Sequence, residues 1–430
     1  MEKKGLRAGA ARVAISFPEG FFIKSAPYLG IHDDVHVRAL VLAQEESVCI
    51  LSLELPPLEE CAEPLRQIAS RHTGIPLDHV WITTTCNFSA PHMLSEQKLR
   101  ELPDERRPAA AQLNETIRSA VAEASSRALA NLKTVSVWQS IGESEVNAYR
   151  NISTARGWWI GINRDAPAAR ELTVFQFRAP EGETVATLFH YAVRSSVLYH
   201  SVREDGRMLV SSDLTGHASA YVEDQIGGVA IHLAGACADQ VPREIPSCPG
   251  TDREGNLVTV TAKVDALNIM ERLGLELGCD ILRIAQYDAV EMKTPSVALH
   301  NGVVILEEAS CSASREKPVL TAEWSATGAL RTLPLSVLRI GRRTILGVQP
   351  EINYVTAKEL QRRTRFLGRA LTVQMVNGGA SYLPDRASYD RCTYQALRSG
   401  FVPGSAEKLI DAAEALIRKA VDGEADVRPA

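Results

Sequence analysis

The residues best suited to chemistry lie in one loop that follows a short apolar stretch. The stretch Val80–Thr84 is rich in β-branched side chains and predicts a strand, which leads into the loop 85–92. Proteins of the α/β class place reactive groups at the carboxyl ends of their strands. We therefore predict a pocket at this loop, with Cys86 as its candidate nucleophile and His92 as a candidate base or substrate-binding residue. The alternative for Cys86 is a small buried thiol.

Composition limits what the loop can mean. The chain has 430 residues, of which 45% are hydrophobic and 23% charged, and its formal net charge is -5. This balance is typical of one large globular domain and provides no basic surface for nucleic acid. No stretch has the apolar length of a membrane span, and no apolar region follows the charged N-terminus. The eight cysteines are dispersed without a CxxC pair, which favours reduced thiols and a cytoplasmic protein.

The order of predicted elements indicates an α/β protein in which mixed central β-sheets are covered by helices. Strands and helices alternate over 11–140 and again over 171–290, and a completing segment of short strands and helices covers 295–421. In the second part we predict a helix over Val260 to Leu277 and a strand over Ile281 to Tyr287. We find no linker, so the prediction is a single large domain, 1–430.

A shared spacing suggests that the first two segments are duplicated halves. Cys237 and Pro242 have the same separation as Cys86 and Pro91, and each pair follows an apolar strand. If the halves 11–140 and 171–290 are equivalent, both loops end equivalent strands and face one cleft. Asp239, in the second loop, is then a candidate catalytic residue; its alternative role is that of a turn or helix-cap residue.

Several stretches, in one order and spread over almost the whole chain, carry a resemblance to a known family. They are Gly30-Ile31-His32-Asp33-Asp34 with Arg38-Ala39-Leu40, Thr73-Gly74-Ile75 with the loop 85–92, Leu188-Phe189-His190-Tyr191-Ala192, Ser212-Asp213 with Gly216, Gly235-Ala236-Cys237 with Asp239 and Pro242, Pro350-Glu351, and Asn377-Gly378 with Tyr382. The sequence resembles the N-terminal catalytic domain of the neutral/alkaline ceramidases and their bacterial relatives.

The resemblance implies a zinc-dependent amidase whose metal is held by two histidines, a glutamate and a tyrosine. The family's loop Thr-His-Thr-His-Ser-Gly-Pro matches 85–91, so Cys86 and Phe88 stand where histidines are expected. Arg194 stands near the second histidine ligand, whereas Glu351 and Tyr382 match the remaining two. Arginine stays protonated and cannot bind zinc, so we predict that the usual zinc site is lost.

A different chemistry is open to these residues. If Arg194 projects where a ligand did, its charge lies beside Glu351 and favours the Cys86 thiolate. The thiolate would attack an acyl carbon, and Tyr382 with the backbone N–H groups of the loop would stabilise the oxyanion. Arg150 loosely matches an arginine that the family uses toward the substrate amide, so we assign it to substrate binding with His92, Arg194 and Glu351.

The sequence therefore predicts an amide-bond hydrolase or acyltransferase that acts on a small soluble acyl compound in specialised biosynthesis, without a metal cofactor. Two alternatives stay open. One is a catalytically inactive ceramidase-like binding protein. The other is an amidase with an altered zinc site built from Cys86, Glu351, Tyr382 and a displaced histidine such as His92. We predict no nucleic-acid partner and no membrane partner, and the sequence provides no oligomeric state.

Overall fold

The computed structural model describes residues 5–23, 26–199, 207–251, 253, 257–261, 266–314 and 319–425. The strands are β1 (Arg7–Ala14), β2 (Tyr28–Ile31), β3 (His36–Ala43), β4 (Ser47–Leu53), β5 (Val80–Thr84), β6 (Lys133–Thr134), β7 (Ser136–Glu143), β8 (Asn147–Thr154), β9 (Gly157–Asn163), β10 (Glu171–Arg178), β11 (Thr184–Tyr191), β12 (Met208–Val210), β13 (Val229–Ala234), β14 (Gln240–Pro242), β15 (Ser247–Thr251), β16 (Leu257–Thr261), β17 (Val290–Glu291), β18 (Val297–Ser314), β19 (Thr321–Ile340), β20 (Arg343–Val348), β21 (Glu351–Ile352), β22 (Leu371–Val373) and β23 (Tyr382–Leu383). The helices are α1 (Ala62–Thr73), α2 (Glu96–Glu101), α3 (Arg107–Ala130), α4 (Asp213–Ile226), α5 (Ala266–Tyr287), α6 (Tyr354–Arg363), α7 (Arg386–Asp390), α8 (Tyr394–Leu397) and α9 (Ser405–Ala425).

Two five-stranded sheets form the centre of the molecule. Their strand orders are β5-β4-β3-β1-β6 and β13-β11-β10-β7-β17. In each sheet the first neighbouring pair is parallel and the other pairs are antiparallel. The predicted mixed α/β fold is confirmed. The two sheets therefore have the same order of parallel and antiparallel strand pairs. The duplication of the sequence stays a prediction.

Alternating side chains bury both faces of each central sheet. On β3, Leu40 and Leu42 pack in the layer between the sheets, whereas Val37, Ala39 and Val41 pack against α1 and α3. This is the period-two pattern of a strand that is covered on both sides. Helices α4 and α5 cover the outer face of the second sheet in the same way. The result is four layers, with helices outside and two sheets inside.

A third sheet closes the ends of these layers. Its strand order is β18-β19-β20-β22, and Ile340, Ile345 and Leu371 extend into the layer between the two central sheets. Its other face packs against α6 and α9 through Leu360 and Leu409. The C-terminal segment therefore completes the core that the first two sheets begin. Among the described residues, no helix combines the length and the apolar character that crossing a membrane requires.

The predicted elements near α5 were wrong. The helix begins at Ala266 instead of Val260, which lies in β16, and residues 262–265 are outside the described residues. The expected strand over Ile281 to Tyr287 belongs to the helix, because Leu277, Ile281 and Ile284 continue one buried helical stripe.

Other boundaries also differ from the sequence pattern. The pattern predicts a first strand over Ala11 to Phe17, whereas β1 is Arg7–Ala14, and it does not predict β18. It predicts a strand from Arg331, whereas β19 begins at Thr321, because the far part of the β18–β19 hairpin is mostly exposed and shows no apolar alternation. It predicts a strand over Leu371 to Val376, whereas β22 ends at Val373, because Met375 has a left-handed backbone with φ 56°.

A buried ionic cluster joins elements of the two central sheets. Arg38 on β3 donates to Glu54 at 2.9 Å and also to Glu223 on α4. Glu54 accepts the backbone N–H of His36 at 2.7 Å, and Glu223 accepts that of Ala230 at 2.9 Å. All three charged side chains are buried. Removing Arg38 would leave these two buried carboxylates with weaker partners only, the half-exposed Arg12 beside Glu223 and His36 beside Glu54.

We expect Arg38→Leu to lower the free energy of unfolding by about 3 to 5 kcal/mol, since Glu54 and Glu223 would stay buried without their shared cation. Urea denaturation measures this change. Arg127→Ala serves as the control, because Arg127 pairs with Glu123 on an exposed face of α3 and should change the same quantity by less than about 1 kcal/mol. Equal losses in the two variants would contradict the prediction.

Candidate active site

A cavity of about 970 Å³ opens beside the loop that follows β5. Its wall includes Phe88 and His92 from that loop, Glu351 from β21, Met375 from the turn after β22, and Tyr382 from β23. The sequence thus predicted the position of a pocket correctly. Three of the predicted site residues, Glu351, Tyr382 and His92, line it.

Cys86 lies beneath this wall. It follows β5 in a left-handed backbone conformation, with φ 56°, and its side chain is fully buried. Its Sγ lies 3.9 Å from Oε2 of Glu351 and 3.4 Å from Sδ of Met375. A non-glycine residue in this conformation costs about 1 to 3 kcal/mol, so the surrounding contacts must hold it in place.

Asn87 supplies those contacts for the loop. Its side-chain amide donates to the carbonyl oxygens of Glu54 at 3.0 Å and Ser211 at 2.7 Å, and its Oδ1 accepts the N–H of Ser89 at 2.9 Å. Its own backbone N–H donates to the carbonyl of Leu55 at 3.2 Å. The N–H groups of Asn87 and Ser89 are therefore already hydrogen-bonded. These two groups cannot stabilise an oxyanion, although the sequence predicts that role for the backbone of the loop.

Arg194 provides the positive charge next to Cys86. Its guanidinium forms an ion pair with Glu351, donates to the hydroxyl of Tyr382 at 2.9 Å, and lies 5.1 Å from the ring centre of Phe88. Burial opposes the charged form, but Glu351 above all, with Tyr382 and Cys86, raises the pKa of Arg194 well above its ordinary value. The structure therefore brings Arg194, Glu351, Tyr382 and Cys86 together.

These residues do not fit the zinc ion that the resemblance implies. The guanidinium of Arg194 occupies the side of Glu351 and Tyr382 on which a cation would bind, and it already compensates the carboxylate. Zinc requires three or four nitrogen, sulfur or oxygen ligands, which Arg194 cannot supply. Within the described part of the chain, no group of three or more His, Cys, Asp or Glu side chains is arranged to hold a metal.

Asp239 lies outside the cavity wall. Its Oδ1 accepts the backbone N–H of Tyr354 at 2.9 Å, at the first residue of α6, and the amide of Gln240 at 3.2 Å. This arrangement matches the alternative role of a helix-cap residue. Burial raises the pKa of the Asp239 carboxyl to about 6.

Arg150 and His92 complete the set of predicted substrate-binding residues. Arg150 is buried with its guanidinium 5.0 Å from the ring centre of Tyr394 and 5.7 Å from that of Tyr382, and its Nε and Nη2 have no hydrogen-bond partner in the described structure. His92 is on the cavity wall, where the centre of its ring lies 6.2 Å from the ring centre of Phe88. Burial lowers the pKa of His92. His92 therefore lines the cavity, whereas Arg150 lies behind two aromatic residues of its wall, Tyr382 and Tyr394.

The sequence did not point to Gln374 and Met375. Gln374 accepts the backbone N–H of Cys237 at 3.1 Å and that of Ile352 at 3.3 Å, and it donates to Sγ of Cys237 at 3.0 Å. Both residues lie at the end of an apolar run, where methionine normally signals core packing. No sequence pattern distinguishes them from such core residues.

The layers and the cavity define a ceramidase-like fold. A solved structure of a ceramidase complexed with C2 has a TM-score of 0.70 at 16% identity, over 97% of this chain and 76% of that chain. Neutral ceramidase from Pseudomonas aeruginosa has a TM-score of 0.68 at 14% identity, over 97% of this chain and 75% of that chain. No protein-family model and no curated protein matches the sequence. At these identities the likeness establishes the fold.

Asp239→Asn tests the cap. The folded pKa of about 6 lies above the unfolded value near 3.9, so the folded protein binds the extra proton and the free energy of unfolding falls as pH rises from about 4 to 6. Asparagine keeps the acceptor without the charge. We expect the variant to be more stable than wild type by about 1 to 3 kcal/mol at pH 7 and equal to it near pH 4.

Denaturation curves across this pH range measure the difference. Asp165→Asn is the matched control, because Asp165 is exposed, and we expect this variant to have the stability of wild type. A variant less stable than wild type at pH 7 would contradict the prediction.

Cys86→His combined with Arg194→His tests the zinc comparison. With the guanidinium removed, Glu351 and Tyr382 become available, and two histidines complete a four-coordinate set. We expect stoichiometric zinc in the double variant and far less in wild type, measured by elemental analysis after dialysis. The two single variants are the controls. Stoichiometric zinc in wild type would show that Arg194 does not exclude the metal.

Proposed function

We propose that the protein is an amide-bond hydrolase or acyltransferase that acts on a small soluble acyl compound, with Cys86 as nucleophile and without a metal. The observation that carries the proposal is the cation of Arg194, held by Glu351 and Tyr382 beside Cys86 at the floor of a large cavity. A neighbouring cation favours the thiolate, which is the nucleophilic form. The two solved structures described above are ceramidases, which supports a reaction at an acyl carbon.

The first half of the reaction forms a thioester. Sγ of Cys86 attacks the acyl carbon while its proton passes to Glu351, whose carboxylate lies 3.9 Å away. The carbonyl oxygen becomes an oxyanion. The hydroxyl oxygen of Tyr382 accepts from Arg194, so its own proton is available to the oxyanion. The bond from the acyl carbon to the leaving nitrogen then breaks, and the nitrogen takes the proton from Glu351.

The second half releases the acyl group. Water, or an acceptor amine, attacks the thioester and loses a proton to Glu351. The bond between the acyl carbon and Sγ breaks, and Cys86 recovers its proton. The products are an acid, or a new amide, and the free thiol. Every atom and charge is accounted for by the substrate, the acceptor and these side chains.

Access to Cys86 requires movement, because its side chain is fully buried and the cavity wall above it includes Phe88 and Met375. Methionine is unbranched and adapts its rotamer easily, so a turn of Met375 would expose Sγ of Cys86, which it contacts. Substrate binding would supply the free energy for this step.

A second candidate is a catalytically inactive binding protein with the same cavity. The burial of Cys86 favours it, because a thiol that is packed against Met375 and Glu351 needs no reactivity to be retained. The altered zinc amidase is disfavoured by the guanidinium of Arg194, which already compensates Glu351.

Acylation of Cys86 separates the two candidates. We expect short-chain acyl p-nitrophenyl thioesters and esters to transfer one acyl group to Cys86, which peptide mass spectrometry and hydroxylamine cleavage would detect. Cys86→Ser should lower turnover by more than about 1,000-fold, and Tyr382→Phe by about 100-fold. Cys279→Ser is the control, since Cys279 is an exposed thiol. Acylation of Cys279 but not of Cys86 would favour the binding protein.

A further inference from the structure

The floor of the cavity conceals three sulfur-bearing side chains that pack in one buried cluster. Sγ of Cys86 lies 3.4 Å from Sδ of Met375, and the side-chain nitrogen of Gln374 lies 4.0 Å from Sγ of Cys86. The amide of Gln374 donates to Sγ of Cys237 at 3.0 Å and holds it in place. All three sulfur-bearing side chains are buried. We refer to Cys86, Cys237 and Met375 as the sulfur cluster.

Three separate segments build the sulfur cluster. Cys86 follows β5, Cys237 follows β13 and Met375 follows β22, so the sulfur atoms meet only through the tertiary structure. Cys86 and Met375 both have a left-handed backbone, with φ 56° at each. Such conformations are costly for residues other than glycine, and two of them converge on one contact.

The proposed acyl transfer uses only one of the three sulfurs. We propose that the sulfur cluster is a three-coordinate binding site for a soft monovalent metal ion such as Cu(I). Thiolate and thioether ligands select soft ions of this kind. Cys86 and Cys237 would each release a proton to solvent as the ion binds, and Met375 would add a neutral ligand. No electron is transferred in this step.

The ligands of the sulfur cluster suit a soft monovalent ion. Two thiolates and one Cu(I) carry a net charge of −1, half of what the two buried thiolates would carry without the ion. Glu351 is already paired with Arg194, so it is not free to act as a fourth, anionic ligand. Zinc, which is divalent and prefers four ligands, fits this set less well.

The cavity provides a route for the ion. Met375 and Glu351 are on the cavity wall, whereas Cys86 lies beneath them. An entering ion would therefore meet the thioether of Met375 before it reaches the two thiols. The site goes beyond the proposed function, and a metal bound there would block Cys86 as a nucleophile.

Competition for Cu(I) tests the site. The reduced, metal-free protein would be titrated under anaerobic conditions with Cu(I) in the presence of a chromophoric Cu(I) chelator. We expect a single tight ion per chain. Loss of one ligand should weaken binding strongly, by at least about 100-fold for Cys237→Ala and about 10- to 100-fold for Met375→Leu. X-ray absorption should show a coordination shell made only of sulfur.

Controls decide between this site and non-specific thiol binding. Cys49→Ala and Cys279→Ser remove thiols elsewhere in the fold, one buried and one exposed, and should leave the tight ion unchanged. If Cys237→Ala does not fold, Met375→Leu still tests the site, because this exchange conserves side-chain volume. Equal Cu(I) affinity in wild type and Met375→Leu, or zinc bound as tightly as Cu(I), would overturn the proposal.

The outcome is independent of the acyl-transfer proposal. Acylation of Cys86 is measured in metal-free wild-type protein, whereas Cu(I) binding is measured without an acyl substrate. Tight Cu(I) binding without acylation would remove the proposed reaction and retain the metal site. Acylation without tight Cu(I) binding would do the reverse.

Discussion

The packing of the two central sheets against each other is the constraint on which the cavity depends. Large apolar side chains such as Leu40, Trp81, Phe175 and Leu188 fill the layer between them. Each such burial contributes roughly 1.5 to 3 kcal/mol, and the layer is closed to water. Because β5 and β13 are corresponding edge strands of the two sheets, this packing brings the loops after them together. The loop after β5 therefore has its position because of how the apolar layer beneath it packs.

Charge inside this apolar frame has to be compensated locally. Arg194 and Glu351 form a buried ion pair, and breaking it would leave each charge inside the protein without its partner. The hydroxyl of Tyr382 accepts a further hydrogen bond from Arg194. The pair occupies the place where the resemblance implies a divalent metal. The site thereby keeps a cation next to Cys86 while the ligands that would hold zinc are engaged. A thiol, a carboxylate, a phenol and a fixed positive charge remain together.

Patterns in the sequence predicted the parts of the fold that depend on local chemistry. The strands β4, β5, β10 and β11 follow from short β-branched and apolar runs bounded by turn residues. The carboxyl end of α5 was misassigned because a short run such as Ile281 to Ile284 suits a strand or a buried helix equally. The far part of the β18–β19 hairpin was missed because it is mostly exposed and carries no apolar alternation.

The sequence by itself determined which residue types could act, since the loop 85–92, Arg194, Glu351 and Tyr382 were recognisable from their order along the chain. Only the tertiary structure decided how they combine. It placed Asp239 at a helix start, engaged the backbone of Asn87, and packed Cys86, Cys237 and Met375 in one buried cluster. The physical reason is that contacts between side chains hundreds of residues apart are set by how whole sheets pack. A local sequence pattern does not determine that packing.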